Sequence, residues 1–129
     1  MIVVDASLVF ALCVKMESDE EAPLEMPEDQ LFVAPEILDL EFTQTLRRYV
    51  RTSQIDLKRA SNAFARLNAL SIARCSHTPL RDRIWAMRDN LTAYDAAYFA
   101  LAEQLQIPLW TRDAKFARAP IPSVDVRVV

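Results

Sequence analysis

NLTAYDAAYFALAEQLQIPLWTRD, residues 90–113, reads as a helix, a two-residue break and a short strand. That order of elements recurs along the chain and decides the fold class. The stretch also holds an anomaly. Stepping about 100° per residue, Tyr94, Tyr98, Phe99, Leu101, Ala102 and Leu105 fill one broad arc, and Asp95 falls inside it, between Ala102 and Phe99. A carboxylate on a core-facing side must be capped, paired or bound to a cation, because burying it bare is costly. Thr92 and Asp95 also fit a capping box, with Asp95 at the third helical position. The two readings are compatible.

Outward from this stretch, short apolar runs alternate with helical patterns. IVV at residues 2–4 reads as a strand, and a helical stretch, SLVFALCVKM, follows Asp5. The acidic, proline-containing residues 17–30 read as a solvated surface loop. LFVA at 31–34 is a second strand, after which Pro35 opens a helix, PEILDLEFTQTLRRYVR. Asp56 caps an amphipathic helix over 56–70. SIARC at 71–75 is a third strand and PLRDRIWAMRD a further proline-started helix. PLWT is the fourth strand, a short helix follows Asp113, and VDVRVV alternates like a closing edge strand. The pattern predicts an α/β fold, three layers with a mainly parallel central sheet flanked by helices, as a single domain over residues 1–129.

Composition narrows the function. A hydrophobic fraction of 52% favours a packed core over disorder, and a net charge of −3 gives no general attraction to nucleic acid. The chain contains no glycine, which excludes a P-loop and a G-x-G-x-x-G dinucleotide site. The apolar start lacks a basic n-region and is interrupted by Asp5, and no stretch approaches the length of a membrane span, so the expected location is cytoplasmic. Cys13 and Cys75 read as small buried hydrophobes, and His77, the only histidine, as a surface-loop residue.

What remains is a set of acids. Asp5 and Asp113 each follow an apolar strand, and in open α/β sheets ligands bind outside the carboxyl ends of the strands. Taken singly, each is an ordinary turn residue and helix cap. Glu41 lies at the margin of a buried stripe of Leu38, Phe42, Leu46 and Tyr49, while Glu36 and Asp39 point to water. It reads either as a surface-edge acid paired with Arg48 or as a fourth site acid. If Asp5, Glu41, Asp95 and Asp113 meet at one sheet edge, they cannot all stay ionised without a cation. Oxygen-only ligands select Mg²⁺ or Mn²⁺, which suit attack of water on a phosphodiester.

The motifs VVDAS, PEILDLEFTQTLRR, NLTAYDAAYFALAEQL and PLWTRDAKFA together resemble the PIN-domain family, and more narrowly the VapC-type toxin ribonucleases of toxin–antitoxin pairs. The match runs in order over nearly the whole chain. The resemblance implies an endoribonuclease whose metal-site and catalytic acids fall on Asp5, Glu41, Asp95 and Asp113, with Ser7 and Thr111 as supporting or water-positioning groups. It also implies Mg²⁺ (or Mn²⁺), an RNA substrate, a cognate VapB-type antitoxin and a homodimer. Arg47, Arg48, Arg51, Arg112, Lys115 and Arg118 are candidate phosphate contacts, each equally readable as part of a solvated charged face. One departure from the family lies at Gln106, where a glycine is frequent and a left-handed turn would cost glutamine more. Two rivals fit less well. A phospho-receiver domain requires an acidic pair after the first strand, where this chain has DAS, and a haloacid-type phosphatase requires D-x-D, where Ser7 takes the second place. A catalytically silent PIN-like binding module would keep the fold without the activity.

Overall fold

Consecutive residues of a strand face opposite sides of its sheet, so a strand buried at every position must be covered on both. Ile2, Val3 and Val4 form such a strand, β1 (Ile2–Val4), with every residue buried. In the computed structural model, which describes residues 1–14, 24 and 26–129, β1 is the centre of a five-stranded sheet. Its neighbours are β2 (Phe32–Pro35) and β4 (Leu109–Thr111), and β3 (Ile72–Cys75) and β5 (Val126–Val128) form the edges, giving the order β3-β2-β1-β4-β5. Every pairing is parallel, with Val3 opposite Val33 on one side and Leu109 on the other. Successive connections leave β1 in one direction for β2 and β3, then return past it to β4. That reversal makes the carboxyl end of β1 the point where an open α/β sheet leaves a crevice.

The helices are α1 (Ala6–Cys13), α2 (Ile37–Arg51), α3 (Leu57–Ala69), α4 (Arg81–Ala86), α5 (Ala93–Leu105) and α6 (Ala114–Ala117). α1 packs with α2 and α3, whereas α5 lies against β1, β2 and β4 with α4 beside it. The core joins both groups to the sheet through Leu8, Phe10, Leu38, Phe42, Tyr98 and Phe99 among others. No helix among the described residues is long and apolar enough to cross a membrane.

Several expectations are corrected. Pro35 does not open α2: it ends β2, opposite Cys75, and the helix starts at Ile37. Pro lacks an N–H but keeps its carbonyl, so it is tolerated at the end of a strand. Glu36 makes no side-chain cap; instead the Ile37 N–H is taken by His77 Nε2 at 3.2 Å. His77 is therefore a half-buried capping group and not a plain loop residue. Cys13 is buried, with its thiol pushed up by burial to about 11, but Cys75 is only half-buried. The helix expected over 79–89 is a 3₁₀ turn (Thr78–Leu80) followed by the short α4. Lys15 and Met16, and residues 17–23 and 25 of the acidic loop, lie outside the described residues.

The arc assigned to α5 is also wrong at both ends. Tyr94 is 61% exposed and Leu105 37% exposed, while every residue from Ala96 to Ala102 is buried. A helix sandwiched between the sheet and α4 buries its whole middle, so no single stripe describes it. α5 closes at Gln106 in the left-handed region, φ 54° and ψ 45°, with the Ile107 N–H reaching back to the Ala102 carbonyl at 3.2 Å.

Left-handed backbone costs a residue with a Cβ about 1–2 kcal/mol, whereas glycine adds unfolded-state entropy of about 0.4–1 kcal/mol. Gln106→Gly is accordingly expected to stabilise the fold by roughly 0.5–1 kcal/mol. Thermal unfolding checks this: a rise of about 2–3 °C is expected for a chain of this size. A fall in melting temperature would mean that the glutamine side chain stabilises the turn.

Candidate active site

Asp5 is the first residue past β1, and its backbone is already extended enough to cap α1. Its carboxylate accepts from the Leu8 N–H at 3.0 Å, which satisfies an otherwise unpaired donor of the first helical turn. It also receives the Ser7 hydroxyl at 2.8 and 2.9 Å and the Thr111 hydroxyl at 2.8 Å. Those two hydroxyls accept in turn: Ser7 from the Arg112 N–H at 3.0 Å, Thr111 from the Asp113 N–H at 2.9 Å. Each has one proton to give, and Asp5 takes both, so the carboxylate acts here purely as an acceptor. Asp5 is 4% exposed and Thr111 fully buried. Burial, aided by the charge of Asp113, pushes the Asp5 carboxyl above its ordinary 3.8, while Leu8, Thr111 and Ser7 pull it back.

The other acids arrive on separate elements. Glu41, on α2, accepts the Tyr98 hydroxyl of α5 at 2.8 Å. Burial, then the charges of Asp95 and Asp5, raise Glu41 above its ordinary 4.5, with Tyr98 and Lys115 opposing. Burial and Glu41 in turn drive the Tyr98 phenol above its ordinary 10.0, so it stays a donor. Asp95 sits in the first turn of α5, its N–H capped by the Thr92 hydroxyl at 3.2 Å. Its carboxylate is turned to the ammonium of Lys115, 3.7 Å away, which is also 3.4 Å from Asp113. Asp113 caps α6 by accepting from the Lys115 N–H at 3.0 Å. Asp95 before all others, and Asp113 after it, hold Lys115 firmly protonated.

All four acids line one cleft of about 720 Å³, together with Ser7, Tyr98, Arg48, Arg112 and Lys115. Thr111 lies beneath it. Arg47, Arg51 and Arg118 do not line it. No ion pair joins Glu41 and Arg48 among the described residues, so the surface-edge alternative for Glu41 falls away. Asp39 does point outward, to Arg74 at 2.8 Å. Tyr98 is the residue that sequence reasoning missed: placed among the core residues, it was not credited with a hydroxyl partner, although a buried tyrosine needs one.

The donor chemistry of the cleft is carboxylate and hydroxyl oxygen, with no histidine or thiolate in its lining, and this suits a hard divalent ion. The Lys115 ammonium stands between Asp95 and Asp113 as a cation in their midst. Among the described residues no three acidic side chains are drawn together tightly enough to hold an ion in this arrangement.

A model of the PIN domain matches residues 2–122 of the chain. VapC ribonuclease Mb0985 of Mycobacterium bovis is 35% identical over 129 residues, covering 100% of this chain and 98% of that protein. Ribonuclease VapC1 of Mycobacterium tuberculosis is 39% identical over 97 residues, 74% of this chain and 73% of its own length. Among solved structures, PAE2754 from Pyrobaculum aerophilum superimposes with a TM-score of 0.68 at 22% identity, over 98% of this chain and 83% of the other. The Mycobacterium tuberculosis toxin VapC20, described as cleaving the sarcin–ricin loop, does so with a TM-score of 0.66 at 18% identity, over 97% and 99%. At these identities the two structures speak to the fold alone.

The raised carboxyl of Asp5 carries a fixed sign. A carboxyl that holds its proton more tightly folded than unfolded stabilises the fold while protonated, and that contribution is lost as pH rises through the folded pKa. Asp5→Asn keeps an acceptor for the Leu8 N–H and removes the buried charge. In chelator-treated buffer it is expected to melt higher than wild type at neutral pH, with the difference shrinking as pH falls towards 3.8. A difference independent of pH would show that the Asp5 charge is not what the fold resists.

Proposed function

The chain belongs to the PIN-domain family, and we propose that it is a metal-dependent endoribonuclease, the toxin of a toxin–antitoxin pair, hydrolysing RNA phosphodiester bonds in the cytoplasm. The observation that carries this reading is the meeting of Asp5, Glu41, Asp95 and Asp113 in one cleft at the carboxyl edge of the sheet, in a chain 35% identical end to end to a VapC ribonuclease.

In this reading Asp5, Glu41, Asp95 and Asp113 hold Mg²⁺ or Mn²⁺. When bound there, such an ion supplies a water of lowered pKa and positive charge for the leaving oxygen. Asp5 is the fixed point, because Ser7 and Thr111 lock both of its oxygens. Tyr98 orients Glu41. Lys115, whose side chain is 60% exposed, has open solvent to swing into when its place between the acids is needed, and there it can meet a phosphate. Arg48 and Arg112 line the same cleft and are proposed phosphate contacts, while Arg47, Arg51 and Arg118 would act further along the strand.

Chelator is expected to abolish cleavage of RNA, and added Mg²⁺ or Mn²⁺ to restore it. Asp95→Asn should lower the rate at least roughly a hundredfold, the scale of losing one group aimed at developing charge. Wild type should also melt higher as Mn²⁺ rises, by about 2.7 kcal/mol at a hundredfold excess over Kd. Asp95→Asn should respond much less, and Glu36→Gln like wild type. Equal metal-induced shifts in wild type and Asp95→Asn would remove Asp95 from the site.

A carboxylate-lined cleft also suits a basic side chain, since an arginine can pair with carboxylates in bidentate fashion. Expression alone should arrest growth, and a cognate VapB-type antitoxin that places Arg or Lys in the cleft should relieve it. The enzyme is proposed to act as a homodimer, which sedimentation would test. Harmless expression of a protein that cleaves RNA in vitro would keep the enzyme and remove the toxin.

A further inference from the structure

Beside the cleft lies a second concavity of about 410 Å³, lined by Arg81, Ile84, Trp85, Arg88, Leu91, Thr92 and Ala93. Among the described residues its lining contains no acid, in a chain whose net charge is −3. In helical projection residues 81, 85 and 88 of α4 and its extension share one arc, and Asp82 and Asp89 fall at its margin, about 40–60° beyond Trp85. Among the described residues neither Arg81 nor Arg88 enters an ion pair, whereas Arg83 one step away is paired with Glu103 at 2.7 Å. Arg88 instead lies over the Trp85 ring, 4.7 Å from its centroid, and donates to the Trp85 carbonyl at 3.0 Å. Even so the tryptophan remains 69% exposed. A guanidinium holds this ring in place, yet most of its surface meets solvent.

The groove lies one helical turn from the proposed catalytic cleft, although the two share no lining residue. Thr92 lines the groove and caps α5 by accepting the N–H of Asp95, whose carboxylate lines the cleft. One helical turn separates the two, and Tyr94, 61% exposed, stands on that turn. Two cations outside any ion pair around a held, exposed indole match what single-stranded nucleic acid needs: charge for the backbone and an aromatic face for the bases.

We propose that this groove is a stacking site for RNA bases flanking the cleaved bond, with Trp85 as the platform and Arg81 and Arg88 as backbone contacts. The inference rests on the ribonuclease reading for the location of the bond. A second copy of the chain is the other occupant such a face suits; among the described residues, the arginines outside any ion pair and the absence of an acid in the lining favour RNA.

The test measures binding of a short fluorescently labelled oligouridine to metal-free protein, where the proposed hydrolysis lacks its ion, by fluorescence anisotropy. Trp85→Ala should weaken it by about tenfold or more, the scale of one lost base–aromatic stack, and Trp85→Phe should keep most of the affinity. Arg81→Ala and Arg88→Ala should each lower the slope of log affinity against log salt by about 0.7. In cleavage assays Trp85→Ala should raise KM for long RNA and leave kcat, and cleavage of the dinucleotide UpU, unchanged. Unaltered oligouridine affinity in Trp85→Ala overturns the proposal. So does a loss of affinity that coincides with a change from dimer to monomer in sedimentation velocity, which would give the face to a second copy. Wild type that binds oligouridine through Trp85 but cleaves no RNA supports the groove and sinks the ribonuclease reading instead.

Discussion

The hydrogen bond that Thr111 donates to Asp5 joins the end of the first strand to the fourth across the switch point of the sheet, and Ser7, which donates to Asp5 and accepts from the Arg112 N–H, doubles the link. Everything else at the site is referred to this knot. It keeps an acceptor-only carboxylate in a place where water hardly reaches, against the cost of burial. The same two hydroxyls hold the N–H groups of Arg112 and Asp113, so the turn carrying Asp113 and α6 is fixed by the partners of Asp5. Asp5 also caps α1 and Asp113 caps α6. A capping role and a role in the cleft do not compete, because a carboxylate has lone pairs to spare after one N–H has been satisfied.

Charge is managed differently at each of the four acids. Asp5 is held by hydroxyls and a helix N-terminus, Glu41 by a buried phenol, and Asp95 and Asp113 share one lysine. The carboxyls of Asp5 and Glu41 are pushed upward, and burial leads in both. Neutral donors cannot cancel that repulsion as a cation does. Among the described residues Lys115 supplies the one ammonium in the cleft lining, from an exposed position.

Most of the fold is legible in the amino-acid sequence alone. Each strand was visible as a short apolar run, and Asp56, Thr92 and the strand-end aspartates declared themselves as caps through residue type and position. Ser7 and Thr111 were legible only through family resemblance, since a hydroxyl two residues from an acid says nothing of what it faces. Three failures share a cause. Local propensity misplaces Pro35 and His77, helical periodicity misplaces Tyr94, and each is decided by a distant neighbour: Pro35 by pairing with β3, Tyr94 by how α5 is enclosed, His77 by the start of α2. Helical periodicity finds a buried stripe, and α5, buried all round over its middle, has none to find. The hydroxyl of Tyr98 was invisible for the same reason, because its partner lies 57 residues away.

The separation along the chain between Asp5 and Thr111, 106 residues, has a consequence for biosynthesis. Contacts between distant parts of a chain form late, because loop-closure entropy opposes them until both ends exist. A ribosome that has translated β1, α1 and α2 has produced Asp5 and Glu41 but no strand to cover the open side of β1, and no hydroxyl from position 111. The central strand stays unpaired on that side until β4 emerges, so an incomplete nascent chain cannot assemble the knot or the cleft around it. For a protein proposed to attack RNA, this ordering keeps the growing polypeptide inert beside the very ribosome and message that are making it.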